Sequence, residues 1–110
     1  MRAKATVSLA NATFEIGYAV GIADSIYKLY GHELVVTSAN DSTHGAGSLH
    51  YKGKAVDLRT RNLPPNDLGV ILKALKARLE PQGFDVVLES DHIHVELDVK
   101  PGESFVTIVP

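Results

Sequence analysis

An imidazole at His50 stands seven residues before a carboxylate at Asp57, with the turn-forming Gly53 between them and the apolar run Ala55-Val56-Asp57-Leu58 just after. This arrangement can present two metal ligands. A carboxylate inside an apolar run needs a partner to be buried at all, and a divalent cation is one of the few adequate ones. One His and one Asp do not hold a zinc ion, because a catalytic site needs three protein ligands and a fourth position left for water. A third donor must come from elsewhere in the chain. His92-Ile93-His94, followed by Val95-Glu96-Leu97, is the candidate, since alternation along a predicted strand puts both imidazoles on one face. The other two histidines read differently. His44 lies in a polar, glycine-containing loop and reads as a solvated residue, and His32 follows a helix end, where a cationic ring interacts favourably with the C-terminal dipole.

The elements that must position these groups are visible in the hydrophobic period. Between Thr13 and Tyr30 the residues Ile16, Ala19, Val20, Ala23, Ile26, Tyr27 and Tyr30 recur at three and four, which predicts an amphipathic helix. Asn11 or Thr13 can cap its start, and Gly31 supplies a left-handed residue past its end. Gly17 and Gly21 either admit another backbone at close range or sit as tolerated glycines on a packed face. Residues 4–9 read as an edge strand or an ordered tail. Strands are expected over Glu33 to Ser38 and Lys54 to Arg59. Leu63-Pro64-Pro65 then turns into a second helix with Leu68, Ile71, Leu72, Leu75 and Leu79 on one face, closed by Pro81 and Gly83. Phe84 to Leu88 and His92 to Val99 form a hairpin across Glu89-Ser90-Asp91, and a last strand covers Ser104 to Val109. This order lacks strict βαβ alternation and suits an α+β fold, with two helices packed on one face of a mostly antiparallel sheet.

A chain of 110 residues, 45% of them hydrophobic, reads as a single domain over 1–110 with one core. Its net charge of −2 with no basic block argues against a nucleic-acid partner. Without cysteine, disulfides and thiolate metal sites are excluded. No apolar stretch approaches the ~20 residues of a membrane span. Arg2 and Lys4 precede an apolar segment that Ser8, Asn11, Thr13 and Glu15 interrupt, which argues against a cleaved signal peptide. Monomer is the default expectation.

Ser48, His50, Gly53, Ala55 and Asp57, in the spacing Ser-x-His-x-x-Gly-x-Ala-x-Asp, resemble the signature of the zinc D-alanyl-D-alanine carboxypeptidases and endolysin peptidases, which share a fold with the Hedgehog amino-terminal domain. His92-Ile93-His94 is similar to that family's closing motif, so the resemblance spans about residues 34–98. It implies a Hedgehog/DD-peptidase-like fold and one zinc ion held by His50, Asp57 and His94. It also implies hydrolysis of peptidoglycan peptides by activated water, with His92 beside that water. The general base is expected to be His92, then Glu89, then Asp91. His92 shares a face with His94, whereas Asp91 alternates away unless the strand begins after it. Many relatives carry a carboxylate-gripping arginine where this chain has Asp41. That departure favours endopeptidase over carboxypeptidase cleavage; Arg59, Arg61 or Lys52 are the cations available to replace it. Ser48 reads as a turn residue rather than a nucleophile. A protein of this kind would be made in the cytoplasm and reach the cell wall by a separate route, as a phage lysis protein does. The alternative is a non-catalytic, metal-stabilised binding module of the same fold.

Overall fold

The computed structural model describes residues 1–3, 14–38 and 55–97. Five strands and two helices occupy them. They are β1 (Arg2–Ala3), α1 (Phe14–Leu29), β2 (Val35–Ser38), β3 (Ala55–Arg59), α2 (Pro65–Leu79), β4 (Phe84–Leu88) and β5 (His92–Leu97). The sheet order is β1-β2-β3-β5-β4, antiparallel throughout except for the parallel β1–β2 edge. The expected α+β architecture is therefore present.

Each helix forms where its apolar period demands. Along α1, Ile16, Ala19, Val20, Ala23, Ile26 and Tyr27 are buried, and along α2 the buried residues are Ile71, Leu75 and Leu79. Both helices lie against each other and on the same side of the sheet, where Val36, Val56, Leu58, Phe84, Val86, Ile93, Val95 and Leu97 complete the core. Strand alternation sends the intervening residues of β3 and β5 to the opposite face. Asp57 and Arg59 on β3, and His92, His94 and Glu96 on β5, are all partly exposed, while their neighbours are buried. Layering alone thus gathers the polar residues on the face away from the helices.

The end of α1 is closed by Gly31 at φ 80°, with its N–H donating to the Lys28 carbonyl at 3.0 Å and the His32 N–H to the Tyr27 carbonyl at 2.9 Å. This left-handed cap stops the helix at Leu29, so Tyr30 leaves the apolar stripe and is exposed. The His32 ring does not serve the helix end as expected. Its Nε2 meets the Asp67 carboxylate at 2.7 Å and ties the end of α1 to the first turn of α2, because the cap directs the chain across that turn. Gly17 and Gly21 are exposed, with no described atom within 4 Å of where a Cβ would stand, so neither marks a close approach nor a packed face. Pro65 starts α2, and Gly83 at φ 94° turns the chain into β4. The expected N-cap at Asn11 or Thr13, the strand or tail at 4–9 and the strand at 104–109 lie outside the described residues.

Candidate metal centre

Register brings the site together. In the antiparallel β3–β5 pair, Asp57 lies opposite His94 and Arg59 opposite His92. Side chains directly opposite on one face have Cβ atoms ~5 Å apart, close enough for direct contact. Accordingly, His94 Nδ1 lies 2.8 Å from Asp57 Oδ1, and His92 Nε2 lies 3.7 Å from the same oxygen. One ligand atom from each of Asp57, His92 and His94 falls within 4.8 Å of the others. All three side chains are only partly exposed: 14% for Asp57, 17% for His94 and 25% for His92.

Two further carboxylates hold the imidazoles. Glu96 Oε1 lies 2.9 Å from His94 Nε2, and Asp91 Oδ1 lies 2.6 Å from His92 Nδ1. The hydrogen bond that the Asp57 carboxylate accepts from His94 holds the His94 pKa above its usual value, with Glu96 adding to the effect against the opposing influence of burial. Glu96 was not singled out from the sequence. Its signal was the same alternation that paired the histidines, since positions 92, 94 and 96 share one face.

The donor set fits a divalent cation. Two atoms bound to one tetrahedral zinc at ~2.0–2.2 Å stand ~3.3–3.6 Å apart, so the 2.8 Å between His94 Nδ1 and Asp57 Oδ1 has only to open by under ~1 Å for both to ligate. Glu96 would remain on the far nitrogen of His94 and fix its tautomer, as a carboxylate commonly does behind a ligating histidine.

The profile of the Hedgehog amino-terminal signalling domain matches residues 23–97. The chain belongs to this family. The Hedgehog match contains the last part of α1, then β2, β3, α2 and the β4–β5 hairpin, and every member of the Asp57, His92 and His94 cluster. The fold is therefore the one anticipated from the resemblance, shared between Hedgehog domains and zinc peptidases.

The candidates named from the sequence divide as follows in this Hedgehog domain. Asp57, His92 and His94 come together. Asp91 does not turn away: β5 begins at His92, so Asp91 belongs to the turn and its carboxylate reaches the neighbouring imidazole. Glu89 sits at the start of that turn, where its N–H donates to the His92 carbonyl at 2.8 Å and its side chain is exposed. His50 lies outside the described residues, as do Asp41, His44, Ser48 and Lys52. Among the described residues no helix is long and apolar enough to cross a membrane.

Proposed function

We propose that this Hedgehog-family domain is a zinc-dependent metallopeptidase that hydrolyses a peptide bond in peptidoglycan stem peptides or cross-links, acting as an endopeptidase. The observation that carries the reading is the convergence of Asp57, His92 and His94 on the helix-free face of the sheet. The geometry supports the cluster as a whole, and the signature implies Asp57, His94 and His50 as the ligands, with His92 beside the water. Zinc bound there would polarise the scissile carbonyl and bring water to a pKa near ~7.

The protein's own groups supply the proton handling. Asp91 accepts from Nδ1–H of His92, which leaves the Nε2 lone pair facing the site as a proton acceptor. His92 would take the proton from the attacking water and return it to the leaving amine. Glu89 is less well placed, being exposed in the hairpin turn, and Asp91 is already engaged with His92. Asp91 is thus a positioning residue in this reading.

A second reading is a non-catalytic, metal-stabilised binding module, favoured by the match to a signalling domain. One experiment separates the two. The zinc-loaded protein is incubated with purified peptidoglycan and new amino and carboxyl ends are identified by mass spectrometry. Release that stops on chelation, returns with zinc and is lost in a zinc-retaining His92→Ala variant supports the peptidase. Full zinc occupancy with no new ends across cell walls of differing cross-link chemistry supports the module.

A further inference from the structure

Among the described residues β4 pairs with β5 alone, and the hairpin register fixes which of its backbone groups look outward. The Glu89 N–H donates to the His92 carbonyl at 2.8 Å, and along an antiparallel ladder hydrogen-bonded pairs alternate with open ones. Val87 with His94 and Asp85 with Glu96 are therefore closed pairs. Val86, opposite Val95, and Leu88, opposite Ile93, turn their N–H and C=O groups away from β5. A second contact agrees: Lys76 Nζ, reaching from α2, donates to the Val86 carbonyl at 2.8 Å, so that oxygen faces outward. Such a row of backbone groups is a template for one more strand. Its two flanks differ. On the metal-centre face stands the exposed Val87, and on the helix side stand Lys76 and, one turn before it on α2, the exposed Lys73.

We propose that the outer edge of β4 is a strand-addition site for an extended acidic peptide of another protein, added antiparallel, with acidic side chains turned to Lys76 and Lys73 and an apolar one on Val87. Backbone hydrogen bonds to Val86 and Leu88 supply the register. Peptide residues opposite these two share their side of the sheet, which is the helix side. There the ammonium groups outnumber the carboxylates: Glu80 Oε2 stands 3.4 Å from Lys76 Nζ, and among the described residues no ion pair takes up Lys73. The intervening peptide residue falls opposite Val87, between Asp85 and Glu89, which repel an acid on that face. In the free protein Lys76 covers the Val86 carbonyl, as lysines commonly protect an open edge. A peptide carboxylate draws the ammonium away and leaves that oxygen to a peptide N–H. A second copy of the chain fits less well, because two β4 strands joined antiparallel about Val87 would set Asp85 against the partner's Glu89. The surface needs neither zinc nor turnover.

The test titrates the acidic peptide acetyl-Thr-Glu-Val-Glu-Thr amide, and its basic counterpart with lysine at both glutamate positions, into the full chain, read by amide NMR signals and hydrogen exchange. Without peptide, the outward amides of Val86 and Leu88 should exchange faster than the laddered amides of Val87 and Glu89. The acidic peptide is expected to protect Val86 and Leu88 and to bind at least about ten-fold more tightly than the basic one, the scale of a charge-assisted hydrogen bond. Methylation of both glutamate nitrogens in the peptide should abolish binding, since those N–H groups face β4. Lys73→Gln/Lys76→Gln should bring the acidic and basic peptides to equal affinity with circular dichroism unchanged, whereas Lys76→Arg should keep the preference. No binding of the acidic peptide, equal binding of the two by the wild-type chain, protection confined to other amides, or a preference that survives the double substitution overturns the proposal. Concentration-dependent protection of Val86 and Leu88 without peptide also overturns it, marking the edge as a contact between copies of the chain.

Discussion

Asp57 is the residue on which the site turns. Its carboxylate sits between two imidazoles and, through His94, is linked to Glu96. Two consequences follow. Asp57→Asn removes the main influence that raises the His94 pKa, so the imidazole proton signals of the metal-free variant should titrate closer to the ordinary value of 6.5. The same substitution should abolish stoichiometric zinc retention, read by elemental analysis; a variant that keeps both its zinc and the raised His94 titration would remove Asp57 from the centre. The sign of the stability effect is also set. A histidine whose pKa is raised on folding contributes stability that is fully present below its unfolded value and is lost as pH rises through the folded one. Urea midpoints of the metal-free protein should therefore fall as pH climbs from below 6.5 through the His94 titration, and this slope should flatten in Asp57→Asn.

At the scale of elements, α1 supports the site from beneath. The Tyr27 hydroxyl crosses the core to the carbonyl of Arg59 at the end of β3, and burial pushes its phenol pKa up. Tyr27→Phe leaves that carbonyl without its donor and should cost about 1–2 kcal/mol in urea unfolding, with most of the packing retained. The glycines of α1 behave oppositely to one another. Gly31 holds a positive φ that side-chain-bearing residues resist, so Gly31→Ala should destabilise by about 1–2 kcal/mol although no neighbour obstructs the new methyl. Gly17 and Gly21 lie within α1 with no described atom within 4 Å of an added Cβ, so alanine at either should stabilise by roughly 0.5–1 kcal/mol. Thermal or urea unfolding of the three variants checks the contrast; the same sign at all three positions would contradict it.

For the whole molecule, Asp57 and His94 lie on β3 and β5, within the sheet that both helices cover, so a metal held by them in the proposed centre would be coupled to folding. A ligand that binds only the folded state at ~100 times its Kd adds ~2.7 kcal/mol. In a domain near 100 residues each kcal/mol moves Tm by roughly 4–8 °C. Saturating zinc should therefore raise Tm by about 10–20 °C in scanning calorimetry, and His94→Ala should respond by much less. An unchanged Tm in the wild-type protein under these conditions would count against the metal centre in either reading, peptidase or binding module. The His32–Asp67 contact, which joins the end of α1 to the start of α2, is peripheral to this coupling and should leave zinc affinity untouched when His32 is replaced by alanine.

Local chemistry and period were enough to name an α+β fold, to place Gly31 at a helix end and to mark Asp57, His92 and His94, together with His50, as candidates. Each of these depends on neighbours within a few positions: a carboxylate in an apolar run, two imidazoles one residue apart, a stripe recurring at three and four. The contacts of the centre are of another kind. That Asp57 faces His94, that Arg59 faces His92 and shares a cavity with Arg61, and that Glu96 backs His94 all follow from one register between strands 37 residues apart. A slip of one residue would carry those side chains to the helix-covered face. Only the burial of Val56, Leu58, Ile93 and Val95 beneath both helices selects among the registers, and that choice belongs to the assembled core.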